Sequence, residues 1–138
     1  MLEECFNFLI ENSLKHPEHL DLDRLNFYTK VHICAAMGCI SSDLLPAIKV
    51  LNKLRNSFAH DSNYTLEQSD VESIWNALPE GSRIGDIETV RSSTTKANMI
   101  CVLAGIVAPV QTSVHAIKYP DKFAVKRRAT ILTARASE

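Results

Sequence analysis

Arg55 and His60 lie five positions apart in the stretch Arg55-Asn56-Ser57-Phe58-Ala59-His60. These residue types suit chemistry on phosphate. An arginine stays charged and its planar fork matches phosphate oxygens, while a histidine gives or takes a proton near neutral pH. Asn56 adds amide donors beside them. Together the three side chains are sufficient to hold or cut a phosphodiester.

A helix has to position them. Ser41 or Ser42 is a good N-cap for a helix running through Leu44, Ile48, Leu51, Leu54 and Phe58, and Pro46 falls in its first turn, where proline is tolerated. Leu44, Ile48, Leu51, Arg55 and Phe58 step by four, three, four and three, which aligns Arg55 with an apolar stripe. A charge there is costly unless it is paired or opens into a cleft. At about 100° per residue, Asn56 and His60 share a face, whereas Arg55 and His60 stand roughly 140° apart. Arg55 must therefore reach round on its long stem or meet His60 across a subunit interface. Structural roles are equally open: Arg55 bonded to a carboxylate or to helix carbonyls at the core edge, and His60 capping the last carbonyls.

Helical spacing recurs along the rest of the chain, and alternating strand patterns are almost absent. Residues 2 to 14 place Leu2, Phe6, Leu9 and Ile10 on one face before Pro17 interrupts; residues 23 to 37 form a second helix that Gly38 ends. Thr65 followed by Gln68 has the capping-box pattern and opens a helix to about Leu78, closed by Pro79, Gly81 and Gly85. Residues 86 to 117 hold one or two helices, kinked near Pro109, and a last one covers Lys122 to Thr133. The expected fold is all-α, an up-and-down bundle of about five or six helices. One domain spans residues 1 to 138, with basic residues 119 to 138 as a peripheral helix or tail.

A chain of 138 residues with 46% hydrophobic content is enough for one core without disulfides or metal. The net charge of -1 gives no global attraction to nucleic acid, so such binding would need a local patch. Residues 1 to 25 are mainly acidic, through Glu3, Glu4, Glu11, Glu18, Asp21 and Asp23. Beyond residue 115 the balance reverses, through Lys118, Lys122, Lys126, Arg127, Arg128 and Arg135. Cys5, Cys34, Cys39 and Cys101 form no CxxC pair and sit in apolar stretches, which suits buried thiols in a reducing cytoplasm. His32, Cys34 and Cys39 match no standard zinc spacing, so neither metal nor cofactor is expected. The N-terminus is acidic rather than basic, unlike a signal peptide. The longest apolar run, Met99 to Val110, has twelve residues with Pro109 inside; it is too short to span a bilayer and reads as a buried helix. A soluble, cytoplasmic protein without membrane contact is expected.

The stretch Leu54-Arg55-Asn56-Ser57-Phe58-Ala59-His60 resembles the Arg-Asn-x-x-Ala-His signature of the HEPN superfamily, whose members are small helical bundles. The wider stretch from Phe27-Tyr28-Thr29-Lys30 to His60, including Ala35-Ala36-Met37-Gly38-Cys39-Ile40-Ser41, is also similar to the mannitol operon repressor branch. The resemblance implies that Arg55, Asn56 and His60 line a cleft formed by two subunits, so a homodimer is expected. It further implies a metal-independent endoribonuclease acting as a toxin or antiphage effector, with an antitoxin or other regulatory protein as a possible partner.

In such an enzyme the 2′-hydroxyl of RNA is the nucleophile. Arg55 stabilises charge on the phosphorane, His60 moves a proton and Asn56 orients His60 or donates to a phosphate oxygen. The products carry 2′,3′-cyclic phosphate and 5′-hydroxyl ends. Lys118, Lys122, Lys126, Arg127 and Arg128 would extend the RNA-binding surface. The competing expectation is a non-catalytic regulatory or protein-interaction module that keeps the signature for structure. A third, a small-molecule binding bundle, rests on the apolar helix around Met99 to Val110.

Overall fold

The computed structural model describes residues 2 to 121. Among them are six α-helices and no strand, as the spacing of apolar residues predicts. The helices are α1 (Leu2–Ser13), α2 (Phe27–Ala36), α3 (Leu45–His60), α4 (Gln68–Ala77), α5 (Ile87–Ser92) and α6 (Thr95–Lys118). Contacts run from α1 to α2, α2 to α3, α3 to α4, α4 to α6 and from α6 back to α1, so five helices close a ring while α5 rests on α4. The expected helix at Lys122 to Thr133 lies outside the described residues.

The core is filled from one stripe of each helix. Phe6, Leu9 and Ile10 of α1 are fully buried, and so are Val31 and Cys34 of α2 and Val71 and Ile74 of α4. The inner stripe of α6, Asn98, Val102, Gly105, Ile106, Val110 and Val114, keeps helical register along its length. Gly105 is required for packing: a β-carbon there would collide with the carbonyl oxygen of Ser82 and press on Leu78. Its bare backbone lets the 3-10 turn Glu80–Ser82 lie against α6.

Local chemistry moves several boundaries. The second helix begins at Phe27 rather than near residue 23, because Leu22–Arg24 forms a 3-10 turn and Asn26 caps α2, its side chain accepting from the Thr29 N–H at 2.9 Å. The turn after α2 uses Gly38 at φ 71°, and the Cys39 N–H bonds back to the Cys34 carbonyl at 2.9 Å. The capping box of α4 is Glu67 with Asp70 rather than Thr65 with Gln68. Asp70 accepts the Glu67 N–H at 3.0 Å, whereas Thr65 lies before the cap. Ser41 caps a 3-10 turn, Ser42–Leu44, which leads into α3 with Pro46 in its first turn.

The apolar run at Met99 to Val110 belongs to a much longer element. In α6 the helix continues through Pro109 for 24 residues, with mean hydropathy 1.8 in its most apolar window. By length and composition α6 is long enough to cross a membrane, though 28% of that window is buried inside the bundle. The cysteines also differ from expectation: all four are free, but only Cys34 is buried, its thiol donating to the Phe6 carbonyl at 3.6 Å. Burial pushes that thiol's pKa up to about 12, with the nearby Cys39 adding to the rise.

Candidate functional site

Helix α3 ends at His60, where the chain stops propagating for an identifiable reason. The Asp61 N–H bonds to the Ser57 carbonyl at 2.9 Å, and the Asp61 side chain then accepts the Asn63 N–H at 2.9 Å, folding the chain into a turn. His60 is therefore the last helical residue, with an exposed side chain.

Asn56 and His60 share a face, as their spacing requires, and open into one groove of about 650 Å³. Lys49, Asn52, Lys53 and Ser57 continue that face along α3, and Tyr28 of α2 forms the opposite wall. Among the described residues no carboxylate lines the groove; two lysines and the amides of Asn52 and Asn56 do. The ring of Tyr28 is held edge-on by His32, with centroids 4.4 Å apart. The exposed lining of the groove is nonetheless mainly apolar, Val50 included, with the lysines and amides adding a few donors, a mixture suited to a ligand that carries both a ring and an anionic group.

Arg55 does not open into this groove. It lines a separate hollow of about 320 Å³ with Leu2, Glu3, Phe27, Leu51 and Asn52, and its guanidinium carbon lies 5.7 Å from the Phe27 ring centroid. Asn52 is shared by both hollows. The expected apolar stripe is only half realised: Leu44 and Ile48 are buried and Leu51 partly so, while Arg55 and Phe58 are exposed. Neighbours explain this. Arg55 lies beside the first turns of α1 and α2 and, among the described residues, is left exposed there.

Beside Arg55 is an ion pair with one buried partner, which the apolar pattern gave no reason to expect. Lys30 of α2 is 3% exposed and its ammonium donates to Glu3 of α1 at 2.9 Å. That hydrogen bond holds the Glu3 carboxyl below the usual carboxylate range; burial opposes the shift, while the charges of Lys30 and Arg55 support it. Glu3 is therefore an anion in the same hollow as Arg55, on the α1 and α2 side of the helix.

Lys118, expected on the RNA path, packs its ammonium 4.9 Å from the Phe8 ring centroid of α1 and is not part of the groove. Lys122, Lys126, Arg127 and Arg128 lie outside the described residues. The groove residues missed by the motif were partly legible, since Lys49, Lys53, Asn56 and His60 follow helical spacing of four, three and four. Tyr28 had no such signal, because only tertiary packing brings α2 to α3. No protein-family model, curated protein or solved structure matches this chain.

Proposed function

We propose that the protein is a HEPN-like, metal-independent endoribonuclease that works as a two-fold dimer, in the manner of a toxin or antiphage effector. The observation carrying this reading is the groove at the end of α3, where Asn56 and His60 stand together, flanked by Lys49 and Lys53 and, among the described residues, free of carboxylates. Phosphate would lie along the lysines and amides. A base would stack on Tyr28.

In the proposed reaction the 2′-oxygen attacks the adjacent phosphorus and the bond to the 5′-oxygen breaks, leaving 2′,3′-cyclic phosphate and 5′-hydroxyl ends. His60 moves the proton at one of these oxygens, Asn56 orients the phosphate and Arg55 stabilises the charge that builds on the phosphorane. Because Arg55 opens into a different hollow from His60 within one chain, the reading assigns the arginine of each site to the second subunit. The reading carries a cytoplasmic location, where an antitoxin would hold the enzyme in check.

A second reading draws on a specific contact. The Arg55 guanidinium rests on Phe27 beside the anionic Glu3, as it would in a non-catalytic interaction module that keeps the signature for packing. Purified protein incubated with end-labelled RNA in EDTA separates the two. The nuclease reading expects cleavage by the wild type that Arg55→Ala and His60→Ala each reduce by at least about a hundredfold. Cleavage that survives both substitutions, or no cleavage of any RNA offered, leaves the interaction module.

A further inference from the structure

Outside the α3 groove, the link between α1 and α2 brings three metal-ligating side chains together. His16, Glu18 and His19 offer ligand atoms that all lie within 4.8 Å of one another. His16 Nδ1 stands 3.1 Å from Glu18 Oε1, and His19 Nε2 stands 3.8 Å from the same oxygen. Zinc bonds to imidazole nitrogen and carboxylate oxygen at about 2.0 to 2.2 Å, so ligands at tetrahedral corners stand roughly 3.3 to 3.5 Å apart. The observed separations bracket that spacing. Modest side-chain rotations would place all three donors around one ion.

The backbone fixes where these three exposed side chains start. Pro17 fixes the start of the 3-10 turn Pro17–His19, the His19 N–H bonds to the His16 carbonyl at 3.4 Å, and the Leu20 N–H bonds to the Pro17 carbonyl at 3.0 Å. The two rings project from one tight turn with centroids 6.1 Å apart. Glu18 also lines a neighbouring hollow with Glu11, Asp21 and Asp23; Arg24 pairs with Asp21 at 2.9 Å, so the negative charge that favours a cation there comes from Glu11, Glu18 and Asp23.

We infer that His16, Glu18 and His19 form a binding site for a zinc-class divalent cation. Two imidazole nitrogens and one carboxylate oxygen are a borderline donor set that selects late first-row metals over magnesium or calcium. Three protein ligands leave the fourth position to water or to a donor from another molecule. The site lies on the connection between α1 and α2, so a bound ion would pin that connection. It is independent of the α3 groove, and its presence is compatible with cleavage that needs no metal.

Cobalt(II) titrated into untagged protein tests the site, because tetrahedral Co2+ absorbs strongly in the visible and octahedral Co2+ does not. The expected result is a tetrahedral spectrum that saturates at one ion per chain and disappears when Zn2+ displaces it. His16→Ala and His19→Ala should each weaken binding by about ten- to a hundredfold. All three side chains are exposed, so both variants should keep the helical circular dichroism of the wild type. A weak octahedral spectrum, or affinity unchanged in the His16→Ala/His19→Ala double variant, would overturn the inference.

Discussion

Lys30 and Glu3 form a pair of unequal partners: the ammonium is buried from solvent while the carboxylate that receives it at 2.9 Å is 41% exposed. Removing the exposed partner leaves the buried one uncompensated. Glu3→Gln should destabilise the fold by about 1 to 3 kcal/mol, less than for a fully enclosed pair because water still reaches position 3. Lys30→Met, which removes the buried charge and keeps the stem, should cost less than Glu3→Gln. Urea unfolding midpoints for the two variants check the order, and the reverse order would mean that Lys30 keeps its hydration through another route.

The same pair gives a pH dependence with a definite sign. The Glu3 carboxyl is held below its ordinary value of 4.5, so the folded state binds its proton less readily than the unfolded state. The contribution is therefore complete above about pH 4.5 and lost as pH falls through the lower, folded value. Stability measured from pH 7 down to pH 3 should fall more gently in Glu3→Gln than in wild type below that point. Parallel curves would assign acid unfolding to other carboxylates.

A site shared between subunits predicts complementation. When Arg55→Ala and His60→Ala protein are mixed and allowed to exchange, half of the dimers are mixed, and each mixed dimer has one intact site. Activity should return to about one quarter of wild type from two nearly inactive preparations. A site contained in one chain would stay inactive in the mixture.

Much of α3 could be read in advance, because its function depends on local geometry. The 140° between Arg55 and His60 follows from helix pitch alone, and the two hollows into which they open realise it. The end of the apolar stripe was less legible. Spacing says which face a residue occupies but not where the neighbouring helices stop, so Arg55 and Phe58 keep the core register while remaining outside the core. Lys30 was hidden for a related reason: a lysine in an apolar helix reads as surface until another helix supplies its carboxylate. The proximity of His16 and His19 follows from a 3-10 turn, which brings residues three apart onto one side and leaves no mark in helical or cysteine spacing.

Asn98 is, like Lys30, a buried polar residue among the described residues. Its amide nitrogen donates to the carbonyl of Val90, to the Ser93 carbonyl at 3.2 Å and to Gln68 Oε1 at 3.4 Å, joining α4, α5 and α6. Asn98→Asp would set a carboxylate against three oxygens and should be more destabilising than Asn98→Ala, for which about 1 to 3 kcal/mol is expected. Thermal unfolding by circular dichroism gives the ranking, and an aspartate variant as stable as wild type would contradict the bonding pattern.

Gly105→Ala tests the close approach of the Glu80–Ser82 turn. The added methyl must displace the Ser82 backbone, at a cost of about 1 to 3 kcal/mol in unfolding free energy. An alanine at the neighbouring exposed position, Ile100→Ala, should change stability little and serves as the reference.

The return of α6 to α1 has a consequence during synthesis. Of the two helices flanking α1 in the ring, α2 is made soon after it, but α6 emerges only when nearly a hundred more residues have been translated. At about 5 to 20 residues per second, the α6-facing side of α1 waits roughly 5 to 20 s for its cover. During that interval Phe6, Leu9 and Ile10 lack part of their packing, and the nascent chain offers chaperones the apolar face of α1.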